Sequence, residues 1–284
     1  MLFRGVNFKI PYGTKLNLMA SAHGKRWLVT SLIYIVIALS AVLIGAGFVY
    51  FGFFRSEVKA EFKNAVDTFS STTATENKII IVKLSRDSFL YEICGFRMLV
   101  DPNLFSKDEA ELIPWLDLII ITGSDNYDSD LLTQIAGKYG CPVLATETVS
   151  LTMPDSLKEL IVTAGDNATY RFGLAKVKSF INPAAESTAA YLIKVGEVSL
   201  FYGESTDVEE FISKAGSCNI AIFRPTHTEV LIQALNWLNN PGKVILAPRD
   251  PGDKGFAENV ARQLSEMGFE TYTTQLYKVI IIEV

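Results

Sequence analysis

Residues 114–130 read PWLDLIIITGSDNYDSD, an apolar run that passes directly into a polar segment rich in aspartate. The run DLIIIT at 117–122 has the length and isoleucine content of a buried strand, and a helix is predicted near 129–139. A strand that ends in such a loop is a candidate for holding a ligand. The same aspartates are also typical of turns and helix caps, so both interpretations stay open at this point.

The rest of the C-terminal region alternates between apolar runs and helical patterns. Hairpins open its two halves, at Cys94–Gly95 and at Gly196–Glu197, and strand-helix-strand crossovers follow. This pattern predicts two sheets covered by helices within residues 77–284, which is an α/β arrangement. The other predicted strands lie at 78–84, 88–94, 96–102, 142–146, 174–181, 189–195, 198–202, 219–225, 243–248, 269–273 and 277–284, and the other helices at 207–216, 228–239 and 254–267.

The N-terminal part has the pattern of a membrane anchor. Residues 27–54 contain no charged residue and are long enough to cross the hydrocarbon core as one helix. Residues 1–26 carry basic residues and no acid, so the positive-inside rule places the N-terminus in the cytoplasm and the C-terminal domain on the opposite side. The sequence therefore predicts a single-pass membrane protein with the lipid bilayer as one partner.

The N-terminal part has two alternative interpretations. A basic, acid-free N-terminus is typical of an organellar transit peptide, which would indicate a mitochondrial-type inner membrane. ALSA at 38–41 resembles a cleavage site, so a removed secretory signal is the other alternative. Residues 55–76 begin with apolar residues at helical spacing and become rich in Ser and Thr, which predicts a stalk.

Several classes of function are disfavoured by composition and motifs. The net charge of −5 and the lack of a basic patch argue against a nucleic-acid partner. Neither G-x-G-x-x-G after a first strand nor G-x-x-x-x-G-K-[ST] occurs, so the phosphate loops of common nucleotide-binding domains are missing. G-x-S-x-G is missing as well, and a serine or cysteine nucleophile would depend on one histidine in this region.

Five stretches of sequence, taken together and in this order, carry a resemblance to a known family. They are VKLSRDSFLYEICGFRMLVDP at 82–102, PWLDLIIITGSDNYDSD at 114–130, FYGESTD at 201–207, IAIFRP at 220–225 and KVILAPRD at 243–250. Together they resemble the metallo-β-lactamase fold and, within it, the lactonase-like metal-dependent hydrolases. The resemblance covers about residues 78–265. It implies an αββα sandwich, here preceded by one transmembrane helix, with loops at one rim that in the family hold one or two zinc or similar ions.

The chain departs from that family where the metal ligands would lie. It has two histidines, and His23 precedes the predicted membrane helix, which leaves His227 alone in the domain. A single imidazole does not make a metal site, so His227 is interpreted as a capping or surface residue. Aligned with the family motifs, the ligand positions carry Gly123 or Ser124, Asp125 or Asn126, Asp128, Ser129, Ala185 or Glu186, and Arg249 or Asp250, while Glu204 stands for the bridging carboxylate.

The favoured hypothesis is a catalytically inactive domain, a pseudoenzyme with no catalytic residue, no metal and no cofactor. Fold and function are separable, so such a domain keeps its core after its site is lost. It would serve as an accessory or scaffold subunit, with other membrane-complex subunits as partners. Gly45 and Gly47 would allow close packing of the predicted membrane helix against partner helices.

The alternative hypothesis is a hydrolase that uses a carboxylate-bound divalent ion at the same rim. Oxygen ligands favour magnesium, manganese or calcium over zinc. The candidate ligands are Asp125, Asp128, Glu204 and Asp250, with Glu186 as a further acid. A competing interpretation is that Arg86, Arg224 and Arg249 neutralise these acids through salt bridges and fill the cavity.

Overall fold

The computed structural model describes residues 36, 39–44, 55–73, 77–182, 185–203 and 212–284. The chain divides into two units, Met1–Glu57 and Val58–Val284. Everything that follows on packing and on the site concerns the second unit.

Within the described residues, the second unit contains two sheets of seven strands each. The first has the order β14-β1-β2-β3-β4-β5-β6, antiparallel from β14 to β3 and parallel from β3 to β6. Its strands are β1 (Lys78–Lys83), β2 (Phe89–Ile93), β3 (Phe96–Val100), β4 (Leu118–Ile120), β5 (Val143–Thr146), β6 (Ile161–Ala164) and β14 (Val279–Glu283).

The second sheet repeats this mixed pattern. Its order is β13-β12-β11-β10-β9-β8-β7, antiparallel from β7 to β10 and parallel from β10 to β13. Its strands are β7 (Thr169–Phe172), β8 (Ala175–Ile181), β9 (Ala189–Val195), β10 (Val198–Gly203), β11 (Ile220–Phe223), β12 (Lys243–Leu246) and β13 (Glu270–Thr273). The predicted arrangement of two helix-covered sheets is confirmed.

Helices cover the outer faces of both sheets. They are α1 (55–71), α2 (Lys107–Ala110), α3 (Ser129–Tyr139), α4 (Glu147–Ser150), α5 (Thr228–Trp237) and α6 (Lys254–Glu266), with 3-10 turns at Asp155–Leu157 and Pro251–Asp253. Glu204 and residues 207–211, the first half of the predicted helix at 207–216, lie outside the described part of the chain.

Three apolar cores hold the four layers together. Alternate residues of β1 show how, since Ile80 and Val82 face the helices of the first core while Ile79 and Ile81 face the other sheet. A strand buried on both faces reads as a continuous apolar run, which explains KIIIVK. The third core packs Phe201 and Phe223 against α5 and α6. The layers are therefore helix, sheet, sheet and helix.

The compact unit begins inside the segment that the sequence predicts to be a stalk. Phe62 and Phe69 of α1 are fully buried and belong to the first core with Ala65 and Val66. Their helical spacing places these apolar side chains on one face, and this face packs against the first sheet. The domain boundary therefore lies near Val58 rather than at Asn77.

The predicted membrane helix at 27–54 lies outside the described residues apart from 36 and 39–44, which are helical. In the portion of the chain that the structure describes, no helix combines the length and apolar character needed to cross a bilayer. The membrane anchor stays a prediction.

Candidate functional site

The candidate site lies at the rim where strands of both sheets end. Asp87 follows β1, Arg224 follows β11 directly, and Arg249 follows β12 by three residues. Thr122 follows β4 of the first sheet, and its carbonyl accepts a hydrogen bond at 2.9 Å from the amide of Ala189 in β9 of the second sheet. The ends of several strands therefore bring side chains from distant parts of the sequence to one place.

Asp87 is the centre of a cationic cluster. Its side chain is 3% exposed, and its Oδ1 lies 2.8 Å from Arg249 Nε and 3.2 Å from Arg224 Nη2. Arg249 Nη2 donates a hydrogen bond to Asp87 Oδ2 at 3.0 Å, so this guanidinium is within ion-pair distance of both oxygens and is hydrogen-bonded to one of them. Arg86 Nε lies 3.5 Å from Oδ2. Hydrogen bonds between a guanidinium and a carboxylate are charge-assisted, which makes them shorter and stronger than hydrogen bonds between neutral groups.

A second set of hydrogen bonds ties the aspartate-rich loop to the same arginine. Asn126 is 5% exposed, accepts from Arg249 Nη2 at 3.4 Å, and donates to Thr122 Oγ1 at 2.9 Å. Thr122 in turn donates its amide to Asp101 Oδ1 at 2.7 Å and its hydroxyl to Asp101 Oδ2 at 2.5 Å. A Cβ at position 123 would lie 2.9 Å from Asn126 Nδ2, so Gly123 makes room for the inward amide. The aspartate-rich loop therefore contacts Arg249 through the side chain of Asn126.

Little space is left behind the arginines. A cavity of about 10 Å³ is lined by Asp87, Arg224, Phe89, Tyr202 and Gly203 among others. That volume suffices for about one water molecule. Side chains of the described residues therefore fill the space directly behind the arginines.

The aspartates predicted as metal ligands have other roles. Asp128 is the N-cap of α3, and its side chain accepts from the amides of Asp130 and Leu131. Asp125 is exposed, and its backbone carbonyl accepts from Asn103. Asp250 is exposed, and its carbonyl accepts the amide of Asp253 at 3.0 Å in a short turn. Turn and cap geometry accounts for these positions.

The residues at the rim do not fit the metal centre that the resemblance implies. Among the described residues, no three His, Cys, Asp or Glu side chains are placed to hold one ion. At the last motif position the chain presents the Arg249 guanidinium, whose positive charge repels a divalent cation. Glu204 is outside the described residues and Glu186 is exposed, so the alternative ligand set stays a prediction. His227 is exposed at the N-cap of α5, where its ring contacts Phe256 edge-on, as a capping or surface residue would.

Lys83 brings a buried amine to the same rim. The residue is 6% exposed, and its Nζ donates to the Pro248 carbonyl. Burial lowers the pKa of Lys83 to about 8, although Asp87 and Asp250 act in the opposite direction. The amine therefore remains largely protonated at neutral pH and adds to the positive charge of the arginines.

The sequence analysis named the three arginines as residues that could neutralise acids at this rim. The acids it considered were Asp125, Asp128, Glu204 and Asp250, and the structure adds Asp87, which lies within ion-pair distance of all three arginines. Neither Asp87 nor Asn126 was singled out as the residue that holds an arginine. The only local signal is the placement of Asp87 between two predicted strands, in a phrase that resembles the family.

Comparison with known proteins identifies the fold. No protein-family model and no curated protein matches the sequence. Among solved structures, Igni18, a metallo hydrolase from Ignicoccus hospitalis, matches with a TM-score of 0.55 and 11% identity over 73% of this chain and 99% of that one. YhfI, a metallo-β-lactamase fold protein from Bacillus subtilis, matches with a TM-score of 0.53 and 12% identity over 73% of this chain and 100% of that one.

A third match is CmlA, a diiron β-hydroxylase from Streptomyces venezuelae, with a TM-score of 0.55 and 14% identity over 74% of this chain. The present chain spans 55% of the length of CmlA. Identities this low establish the fold alone. The C-terminal domain has the metallo-β-lactamase fold, as its sequence phrases predict.

Proposed function

We propose that this protein is a membrane-anchored pseudoenzyme, in which a catalytically inactive metallo-β-lactamase-fold domain serves as an accessory or scaffold subunit of a membrane complex. The observation that carries the proposal is the ion-pair cluster of Arg224 and Arg249 on buried Asp87. In relatives named as metal-dependent enzymes, catalysis requires a cation that activates water. Here guanidinium groups supply positive charge at the rim, and they have no exchangeable water to activate.

The membrane part of the proposal rests on the sequence. Residues 27–54 have the length and apolar character of a bilayer-spanning helix, and basic residues precede them. Gly45 and Gly47 lie in this segment, and small residues permit close helix contacts in membranes. A domain held at the membrane by one helix would act through its surfaces.

A hydrolase with a carboxylate-bound magnesium, manganese or calcium ion has less support. Asp128 is engaged with the first turn of α3, and moving it onto an ion would leave two amides without their acceptor. The hydrolase alternative is then supported only by the number of aspartates in the loop at 123–130.

Metal content tests the catalytic half of the proposal. The full-length chain, purified in mild detergent, is incubated separately with zinc, manganese and magnesium ions, desalted, and measured by elemental mass spectrometry. We expect well below one ion per chain in every case. One firmly held ion per chain that is lost in both Asp128→Ala and Glu204→Ala, but kept in the exposed control Asp155→Ala, would overturn the pseudoenzyme and support the hydrolase.

Co-purification from native membranes tests the scaffold half. The wild-type chain is expected to retain other membrane subunits at near-equal amounts through detergent extraction and size exclusion. A Gly45→Ile, Gly47→Ile double variant would lose them if the predicted membrane helix makes the contact, and Ala41→Val serves as the matched control. A wild-type chain that elutes free of other membrane subunits would refute the scaffold role.

A further inference from the structure

A second, larger cavity opens beside the Asp87 cluster. It has a volume of about 480 Å³ and lies where β1, β12 and β13 end. Pockets of roughly 300–1,000 Å³ are the usual size for small-molecule ligands. The cavity is thus large enough for a compact organic molecule, unlike the water-sized space behind the arginines.

Basic side chains outnumber acids in the lining of this cavity. The basic residues are Lys83, Arg86, Arg249 and Lys254, and the acid is Asp250; Arg86 and Arg249 are also paired with Asp87, and Lys254 lies 3.7 Å from Glu258. The chain as a whole carries a net charge of −5, so this group of basic side chains is opposite in sign to the net charge of the protein. The 13-residue helix α6 begins at Lys254, which places its positive end at the cavity as well. The lining therefore offers several cationic groups to which an anion could bind.

A buried hydroxyl provides an independent observation. Thr274 lines the cavity and is 3% exposed. Its amide donates to the Leu246 carbonyl at 2.9 Å, but its Oγ1 has no hydrogen-bond partner in the described part of the chain. A buried polar group without a partner costs free energy, so such groups usually meet a ligand or water. The hydroxyl is thus a polar group in the cavity wall whose hydrogen-bonding capacity is unused by the described residues.

Apolar side chains form the rest of the lining. Leu104 is 63% exposed and Leu276 is 44% exposed, and both flank the cavity with Pro248. Leu104 adopts φ 62°, a left-handed conformation that is unusual for leucine. Exposed leucines next to a positive pocket would cover the apolar part of a ligand whose charged group reaches the basic side chains.

We propose that this cavity binds a small organic anion, with a carboxylate or phosphate group facing Lys83, Arg86, Arg249 and Lys254, and an apolar body against Leu104 and Leu276. The Thr274 hydroxyl bonds the ligand inside the cavity. This site is separate from the scaffold role, and it stands whether or not the chain assembles with other membrane subunits.

Matched probes test the proposal on the full-length chain in nanodiscs of phosphatidylcholine, which has no net charge. Binding is measured by calorimetry for phenylacetate and phenyl phosphate, for the neutral isostere phenylacetamide, and for inorganic phosphate. We expect at least one of the two aromatic anions to bind, phenylacetamide to bind at least about tenfold more weakly, and inorganic phosphate to bind more weakly than phenyl phosphate.

Variants locate the site. Lys254→Ala and Thr274→Val are each expected to weaken binding of the aromatic anion about threefold to tenfold. Lys158→Ala changes an exposed lysine that does not line the cavity, and it should leave binding unchanged. Circular dichroism confirms that each variant is folded.

Three results would overturn the proposal. The first is that neither aromatic anion binds, or that phenylacetamide binds as tightly as phenylacetate. The second is that Lys158→Ala weakens binding as much as Lys254→Ala, because the effect would then be general surface charge. The third is that inorganic phosphate matches phenyl phosphate, since the apolar body would then contribute nothing. None of these measurements depends on metal content or on co-purification.

Discussion

Asp87 and the aspartates of the loop at 123–130 stand at the same rim, yet the protein uses them in opposite ways. Asp87 is 3% exposed and is paired with guanidinium groups from two distant strand ends. Asp125, Asp128 and Asp130 are exposed; Asp125 accepts from the Ser124 hydroxyl, Asp128 caps α3 and Asp130 pairs with Lys107. A dense run of acids in the sequence therefore marks a turn, while a single acid between two strands organises the rim.

Burial explains the difference. A buried carboxylate is costly unless charged partners surround it, so its partners are specified by the fold. An exposed carboxylate is solvated by water and contributes little beyond a cap or a weak ion pair. Substitutions in the two regions should therefore differ in their effect on the free energy of unfolding.

The largest effect is expected at Asp87. Asp87→Asn removes the buried negative charge that the guanidinium groups of Arg224 and Arg249 share. We expect the free energy of unfolding to fall by about 3 kcal/mol, as when one partner of a buried pair is removed. Urea denaturation followed by tryptophan fluorescence measures this, with Asp125→Asn as the matched control. A loss below about 1 kcal/mol would mean that the cluster does not stabilise the rim.

Lys83 gives a pH-dependent effect in the same region. Burial lowers its pKa from 10.5 to about 8 in the folded chain, so between these values the unfolded chain binds more protons. Stability of the wild type should then rise with pH, relative to Lys83→Met, by about 2 kcal/mol from about pH 7.5 to about pH 10. Below that window the difference between the two proteins should be constant. Parallel denaturation curves at each pH test this, and a flat difference throughout would contradict the buried amine.

A smaller effect is expected in the aspartate-rich loop. Asp128→Ala removes the side chain that accepts from two amides at the start of α3, and loss of such a cap costs about 1 kcal/mol. Asp125→Ala removes an exposed side chain, so its effect should stay within about 0.5 kcal/mol. Urea denaturation of both variants checks the contrast. An equal and large loss in both would point to a shared role such as ion binding.

The smallest effect is expected at Thr274, and its sign is reversed. Thr274→Val replaces a buried hydroxyl that lacks a hydrogen-bond partner within the described residues by a methyl group of similar size. Without added ligand we expect a gain of about 0.5 to 1 kcal/mol in the free energy of unfolding. Thermal and urea unfolding measure the change, and Thr271→Val on β13, whose hydroxyl donates to the Phe269 carbonyl at 3.2 Å, is the control expected to lose stability. A loss at Thr274 would show that its hydroxyl is already satisfied.

Much of the fold was predictable because its strands are apolar on both faces. The runs that became β1, β4, β11 and β12 are buried throughout or nearly so, and their lengths separate them from helices. β6 and β7 were missed because they are short and only partly buried, which leaves a weak pattern. The packing of α1 was missed for another reason, since a helix with one apolar face fits a stalk as well as a core.

The rim could not be predicted in the same way. Asp87 is separated by 137 residues from Arg224 and by 162 residues from Arg249, so no local spacing connects them. Which acid the arginines neutralise depends on how the two sheets stack. The loss of histidines was visible in the sequence, but the identity of what fills the rim required the fold.

Anomalous diffraction from crystals of the full-length chain soaked in zinc or manganese ions tests the central claim most directly. We expect no anomalous peak within coordination distance, about 2.0–2.2 Å, of a side-chain oxygen at the rim, and we expect Arg224 and Arg249 to remain on Asp87. A peak at the rim with the two guanidinium groups displaced from Asp87 would contradict the assignment of this domain as a pseudoenzyme.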